Sequence, residues 1–69
     1  MGLYGAVYEN FLKDNLGKTI RIRIRDVPVD PGELLAYGPG EILIRAKTGR
    51  ILIDLNCVIG IEEVEARPL

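Results

Sequence analysis

Three arginines alternate with isoleucines in the segment KTIRIRIR at residues 18–25. Strict alternation of apolar and polar residues is typical of a half-buried strand, so Arg21, Arg23 and Arg25 are predicted to share its outer face. Three guanidinium groups in a row could contact successive phosphates of a nucleic acid. Alternatively, they pair with carboxylates of a neighbouring strand, which stabilises a sheet by about 0.2–1 kcal/mol per pair. Cross-strand pairing is the interpretation that we favour.

A second candidate for binding is Tyr37, which precedes the turn sequence Gly-Pro-Gly at residues 38–40. Its ring could stack on a base or on another ligand. A tyrosine beside a turn more often packs its ring against the protein and leaves its hydroxyl in water. The sequence leaves both interpretations open and favours the second.

The remaining reactive groups form no recognisable catalytic or metal-binding pattern. Cys57 lies in an apolar run without a histidine partner, which predicts a small buried residue rather than a nucleophile. Asp26, Asp30 and Asp54 do not have the spacing of a calcium loop. The chain contains no histidine, serine, tryptophan or glutamine, so a serine nucleophile and a histidine base are both impossible. We therefore predict a protein that is not an enzyme and that uses no metal, cofactor or small-molecule substrate.

Charge and hydropathy limit the partners and the location. Nine basic residues against ten acidic ones give a net charge of −1, whereas nucleic-acid-binding domains usually carry a basic excess. No run of apolar residues is long enough to span a membrane, and the first residues do not resemble a secretion signal. With a single cysteine, the sequence predicts a cytoplasmic protein that does not contact membranes.

An amphipathic helix is predicted at residues 3–16. Tyr4, Val7, Tyr8, Phe11 and Leu12 recur at the three- and four-residue spacing of one helix face, with polar residues opposite. Gly17 is predicted to end this helix in the left-handed conformation, which glycine adopts without steric strain.

Five short strands with tight connections are predicted after the helix, within a single domain that covers residues 1–69. The Asp-Val-Pro-Val-Asp-Pro-Gly segment at residues 26–32 interrupts the pattern and is predicted to be a loop, with a possible extended piece. The predicted strands are residues 18–25, 33–37, 41–47, 50–55 and 59–65, with a 3₁₀ turn at residues 56–58.

Five such strands cannot cover a core as a flat sheet. Rolling them into a strongly bent antiparallel barrel at residues 18–65 buries their isoleucine faces against each other. The sequence therefore predicts an all-β fold with one N-terminal helix.

This pattern resembles the Sm-like barrel of the Sm, LSm and Hfq proteins. The resemblance covers nearly the whole chain and is carried by the apolar pattern, by LGKTI at residues 16–20 and by LNCVIGI at residues 55–61. The SH3-like barrels share the strand order and remain the alternative.

The resemblance implies a homo-oligomer, with the ring as its form in that family, in which the fourth strand of one copy pairs with the fifth strand of the next. The candidate interface residues are Ile51, Leu52, Ile53, Ile59, Ile61 and Val64. It also implies that the first strand lies beside the fifth, where Glu62, Glu63 and Glu65 could pair with the arginines.

The resemblance further implies RNA binding by the loops at residues 37–40 and 55–58, where Tyr37 and Asn56 would contact a base. The Asp-and-Asn signature of the first Sm motif, the Arg-Gly pair of the second and the Lys-His pair of Hfq are missing. Two functions follow. The first is an RNA-binding module, which requires Arg21, Arg23 and Arg25 to be free. The second is a structural or protein-interaction module that kept the barrel and lost RNA binding.

Overall fold

The computed structural model describes residues 5–25, 27–28 and 31–64, which contain a helix, six strands and a short 3₁₀ helix. The predicted loop contains a two-residue strand, Val27–Pro28, so the predicted fourth and fifth strands are the fifth and sixth strands of the structure. The elements are α1 (Ala6–Asp14), β1 (Thr19–Ile24), β2 (Val27–Pro28), β3 (Gly32–Tyr37), β4 (Glu41–Ala46), β5 (Gly49–Asp54), η1 (Leu55–Cys57) and β6 (Val58–Glu63).

The helix ends two residues earlier than predicted, and the first residues of its predicted range lie outside the described ones. Asn15 ends the helix: its backbone N–H bonds back to the last turn, and its Nδ2 donates to the Phe11 carbonyl at 2.9 Å. Gly17 has the expected left-handed backbone, with φ at 79°. Its N–H donates to the Leu34 carbonyl at 2.8 Å, which ties the end of α1 to β3.

All strand pairs in the described residues are antiparallel. The main path runs β6–β1–β3–β4–β5, and β2 also pairs with the end of β1. This arrangement confirms the predicted all-β fold with one N-terminal helix. It also confirms that the first and last strands are neighbours, because β1 pairs with β6 from Ile20 to Ile24.

The sheet is open between β5 and β6. These two strands are consecutive and joined only by η1, yet within the described residues they share no ladder. The predicted barrel is therefore not closed within one chain, and in the described residues the strands at the two ends of the path each keep one unpaired edge.

The core is built from isoleucines and leucines of one face of the sheet and from Leu12 of α1. In β1 the burial alternates as predicted, with Ile20 and Ile22 buried and the intervening arginines exposed. The buried apolar residues are Leu12, Ile20, Ile22, Leu34, Ile42, Ile44, Ile53, Leu55 and Val58.

Two burial predictions are wrong. Cys57 is exposed, because it is the last residue of η1 and Val58 takes the inward position beside it. Ile51 shares the face of Ile53 but is 38% exposed, whereas Ile53 is 7% exposed. Ile51 lies nearer than Ile53 to the β4–β5 hairpin, and no strand in the described residues covers the outer edge of β5.

Gly32 allows β4 to approach the start of β3 closely. It pairs with Ile20 of β1 and is buried. A Cβ at this position would collide with the side chain of Ile44 and lie 2.8 Å from the Arg45 carbonyl oxygen. The backbone at Gly32 therefore sits where any other residue would need the strands to move.

We expect Gly32→Ala to lower the free energy of unfolding by about 1–3 kcal/mol, because overpacking a core displaces its neighbours. Urea unfolding followed by circular dichroism measures this change. Gly40→Ala is the matched control, since a Cβ at Gly40 meets nothing within 4 Å. Equal stabilities of the two variants would contradict the close approach at Gly32.

Candidate assembly edges and nucleic-acid interface

Arg21 and Arg23 share one carboxylate of β6. Their Nη atoms lie 3.4 and 3.5 Å from Glu62 Oε1, and Arg21 stands directly opposite Glu62 in the β1–β6 ladder. The side chains are 48% exposed for Arg21, 68% for Arg23 and 41% for Glu62. Exposed ion pairs of this kind contribute about 0–1 kcal/mol. Local pairing, the interpretation that the sequence favoured, therefore describes these two arginines.

Arg25 differs from the other two arginines. It follows the last residue of β1, is exposed, and forms no ion pair with any residue that the structure describes. Of the other predicted partners, Glu63 lies opposite Ile20, and Glu65 lies outside the described residues.

A second group of basic residues lies on β4 and β5. Arg45 is directly opposite Arg50, and on its other side it faces Glu33 of β3. Like charges directly opposite each other on a sheet are destabilising. Arg50 also lies on the open edge of the sheet, so its outer side has no strand of the same chain to supply a carboxylate.

Tyr37 lies at the end of β3 and packs against the core, as the favoured interpretation predicted. It also lines a groove of about 350 Å³ between α1 and the β3–β4 turn. Asn56, in η1, is exposed, and its backbone N–H donates to Asp54 Oδ1 at 2.9 Å. The groove is lined by Gly5, Tyr8, Glu9, Leu12, Tyr37, Gly38, Pro39 and Leu55.

The predicted interface residues divide into two groups. Ile51, Leu52 and Ile59 are exposed by 38%, 69% and 61%. Ile53 belongs to the core, Ile61 packs against it, and Val64 is half-buried. The exposed apolar residues of both strands therefore lie along the two open edges.

The described residues contain no cluster of three acidic residues or cysteines that could hold a metal ion. Asp26 and Asp30, which the sequence analysis considered together with Asp54, lie outside the described residues. No helix in the described part of the chain is long and apolar enough to cross a membrane.

Comparison with family models, with curated proteins and with solved structures gave no match to this chain.

Tyr8 is a feature of the groove that the sequence did not predict. Its hydroxyl is buried and has no hydrogen-bond partner among the described residues. Burial raises the pKa of Tyr8 to about 12 from its ordinary value of 10.0, because the charged phenolate is penalised away from water. Only the helical spacing of Tyr8 was visible in the sequence, and spacing does not show what surrounds a hydroxyl.

The raised pKa of Tyr8 makes stability depend on pH. The unfolded chain loses this proton near pH 10, whereas the folded chain keeps it until about pH 12, so stability falls as the pH rises between these values. We expect Tyr8→Phe to reduce this alkaline fall, as measured by thermal unfolding from pH 8 to pH 12. Tyr37→Phe is the control and should keep the fall, because Tyr8 is still present. A Tyr8→Phe profile that matches the unmodified chain would refute the assignment.

Proposed function

We propose that this chain is a non-catalytic, Sm-like module that assembles with copies of itself, β5 of one copy pairing with β6 of the next. The pair of open edges carries the proposal. An unpaired strand presents a row of free N–H and C=O groups, and soluble proteins normally protect such an edge with charge, proline or a covering segment. Here Ile51 and Leu52 on β5 and Ile59 on β6 are exposed instead.

The topology supports an Sm-like barrel as the frame of the assembly. The helix and the 3₁₀ turn before the last strand belong to the pattern that carries the resemblance, and β1 lies between β6 and β3, as the resemblance implies for the first and last strands. The edges that the resemblance uses for ring formation are also the two edges that the sheet leaves open. A ring is therefore the form of assembly that we propose, with the number of subunits left to measurement.

We expect light scattering at micromolar concentration to give a mass well above the 7.7 kDa of one chain. Leu52→Asp should raise the dissociation constant about 10- to 100-fold, because burying a leucine side chain is worth about 1.5–3 kcal/mol. Since Leu52 is 69% exposed in the single chain, the substitution leaves the fold of that chain intact.

Val7→Asp is the matched control for this substitution. Val7 is 85% exposed on α1, which is part of neither edge strand, so the same change there should leave the pairing of β5 with β6 unaffected. An unmodified chain that elutes as a monomer would rule out self-assembly. Equal effects of the two substitutions would show that assembly does not use β5.

RNA binding is the second candidate function, and the exposure of the arginine face favours it. Arg21 and Arg23 are paired with Glu62, but at 48% and 68% exposure these pairs are weak enough for a phosphate to displace the carboxylate. Arg25 adds a third cation directly after the same strand. We place this function second because Glu62 already neutralises part of the face, and RNA binding of the Sm type was expected to need three free arginines.

Glu62→Gln tests this ranking directly. If the arginine face binds RNA, removing the competing carboxylate should tighten binding to a U-rich or A-rich RNA, and Arg23→Glu should weaken it. Fluorescence anisotropy over a salt series measures both, since phosphate contacts must weaken as salt rises. Glu41→Gln, at an exposed site on β4, controls for the change in net charge. If no variant shows salt-sensitive binding, RNA is excluded and the assembly is a structural or protein-interaction module.

A further inference from the structure

Hydrogen bonds at the end of β5 show which of its residues face the open edge. The Leu55 N–H donates to the Gly40 carbonyl at 3.0 Å, and the β4–β5 register runs without a shift from Glu41–Asp54 to Ala46–Gly49. In an antiparallel ladder, bonded and non-bonded pairs alternate. The N–H and C=O groups of Gly49, Ile51 and Ile53 therefore point to β4, and those of Arg50, Leu52 and Asp54 point to the open edge.

The same argument applies to β6. The Val64 N–H donates to the Thr19 carbonyl at 3.2 Å, in line with the register that pairs Ile20 with Glu63 and Arg21 with Glu62. Alternation then directs the main-chain groups of Glu62 and Gly60 to β1. Those of Ile61 and Glu63 point to the open edge.

An antiparallel pair joins residues that both turn their main-chain groups to the shared edge. This excludes every register in which Leu52 would stand opposite Gly60 or Glu62. Among those that remain, Leu52 opposite Glu63 would set an apolar side chain against a charge. A shift the other way would set Leu52 opposite Ile59, but it would leave Arg50 opposite Ile61, which again sets an apolar side chain against a charge. Only Leu52 opposite Ile61 also places Arg50 opposite Glu63.

We infer that, in the assembly proposed above, β5 and β6 of successive copies pair antiparallel with Leu52 opposite Ile61 and Arg50 opposite Glu63. The inference rests on the proposed self-assembly and adds its register and its contacts. The partner surface is thus a second copy of this chain, recognised by one apolar pair and one pair of opposite charges.

In this register, the outer face of β5 in one copy is continuous with the core-facing side of β6 in the next copy. Leu52, on the outer side, then packs beside Ile61, which already contacts the core of its own chain. One copy therefore supplies an apolar residue to the open side of its neighbour's core. The register also offsets the repulsion between Arg45 and Arg50, because the carboxylate of Glu63 in the next copy lies opposite Arg50.

Disulfide cross-linking measures the register. In a Cys57→Ala background, which removes the exposed native thiol, Arg50→Cys is combined with Glu63→Cys. Both native side chains are exposed, so the single chain should still fold. The mismatched control combines Leu52→Cys with Glu63→Cys, which moves one thiol two residues, about 7 Å, along the strand. Under mild oxidation, the matched pair should form interchain disulfides about tenfold faster, because Cα atoms more than about 7 Å apart cannot be bridged without backbone movement.

Non-reducing electrophoresis and light scattering on the same samples separate the outcomes. Rapid cross-linking of the matched pair supports the register. An assembled protein in which the mismatched pair, or Arg50→Cys with Ile61→Cys, cross-links faster overturns the register and leaves self-assembly standing. An assembled protein in which no pair cross-links overturns it as well. If the protein is a monomer and forms no interchain disulfide, both the proposed register and the proposed assembly are wrong.

Discussion

The direction of the strands decides where this sheet can close. Along the path β6–β1–β3–β4–β5 each strand is antiparallel to its neighbour, so with five strands the first and last members of the path run the same way. Closure within one chain would need a parallel pair between β5 and β6. Parallel neighbours normally need a crossover connection of about a dozen residues or more, whereas η1 has three. The open edges follow from this constraint, and a strand from another copy, which is free to approach antiparallel, avoids it.

The β1–β6 ladder joins the first and last strands and also sets the electrostatics of its outer face. Because Arg21 and Glu62 are in register, the carboxylate of Glu62 reaches Arg23 as well, and two cations share one anion. The chain as a whole is close to neutral. Glu62 therefore offsets only part of the positive charge of this face, which weakens its long-range attraction to a polyanion.

Alternation in the sequence predicted most of the strands, because it reports directly which side chains can leave water. The arginines and isoleucines of β1 and the buried Ile42 and Ile44 of β4 follow this prediction. The neighbouring positions of β1 and β6 were implied by the resemblance and not by alternation. Other features depend on contacts that periodicity does not encode. Cys57 is exposed because a single turn of η1 rotates it outward, and the charge relation between Arg45 and Arg50 needs the register of the hairpin. For the candidate site, the arginine face was visible from spacing, whereas its neutralisation by Glu62 required the fold.

Assembly and stability are coupled in a chain of this size. A domain of about 60 residues buries only about 60% of the surface that its unfolded chain exposes, so its core leaves little reserve. Here Ile51, Leu52 and Ile59 are exposed on the two edge strands, and no strand in the described residues lies on the outer side of Ile61. Any partner that binds only the folded form raises stability in proportion to the logarithm of its free concentration. If the partner is the chain itself, its unfolding temperature should rise with protein concentration, whereas a monomer that merely tolerates an exposed leucine would unfold at a constant temperature.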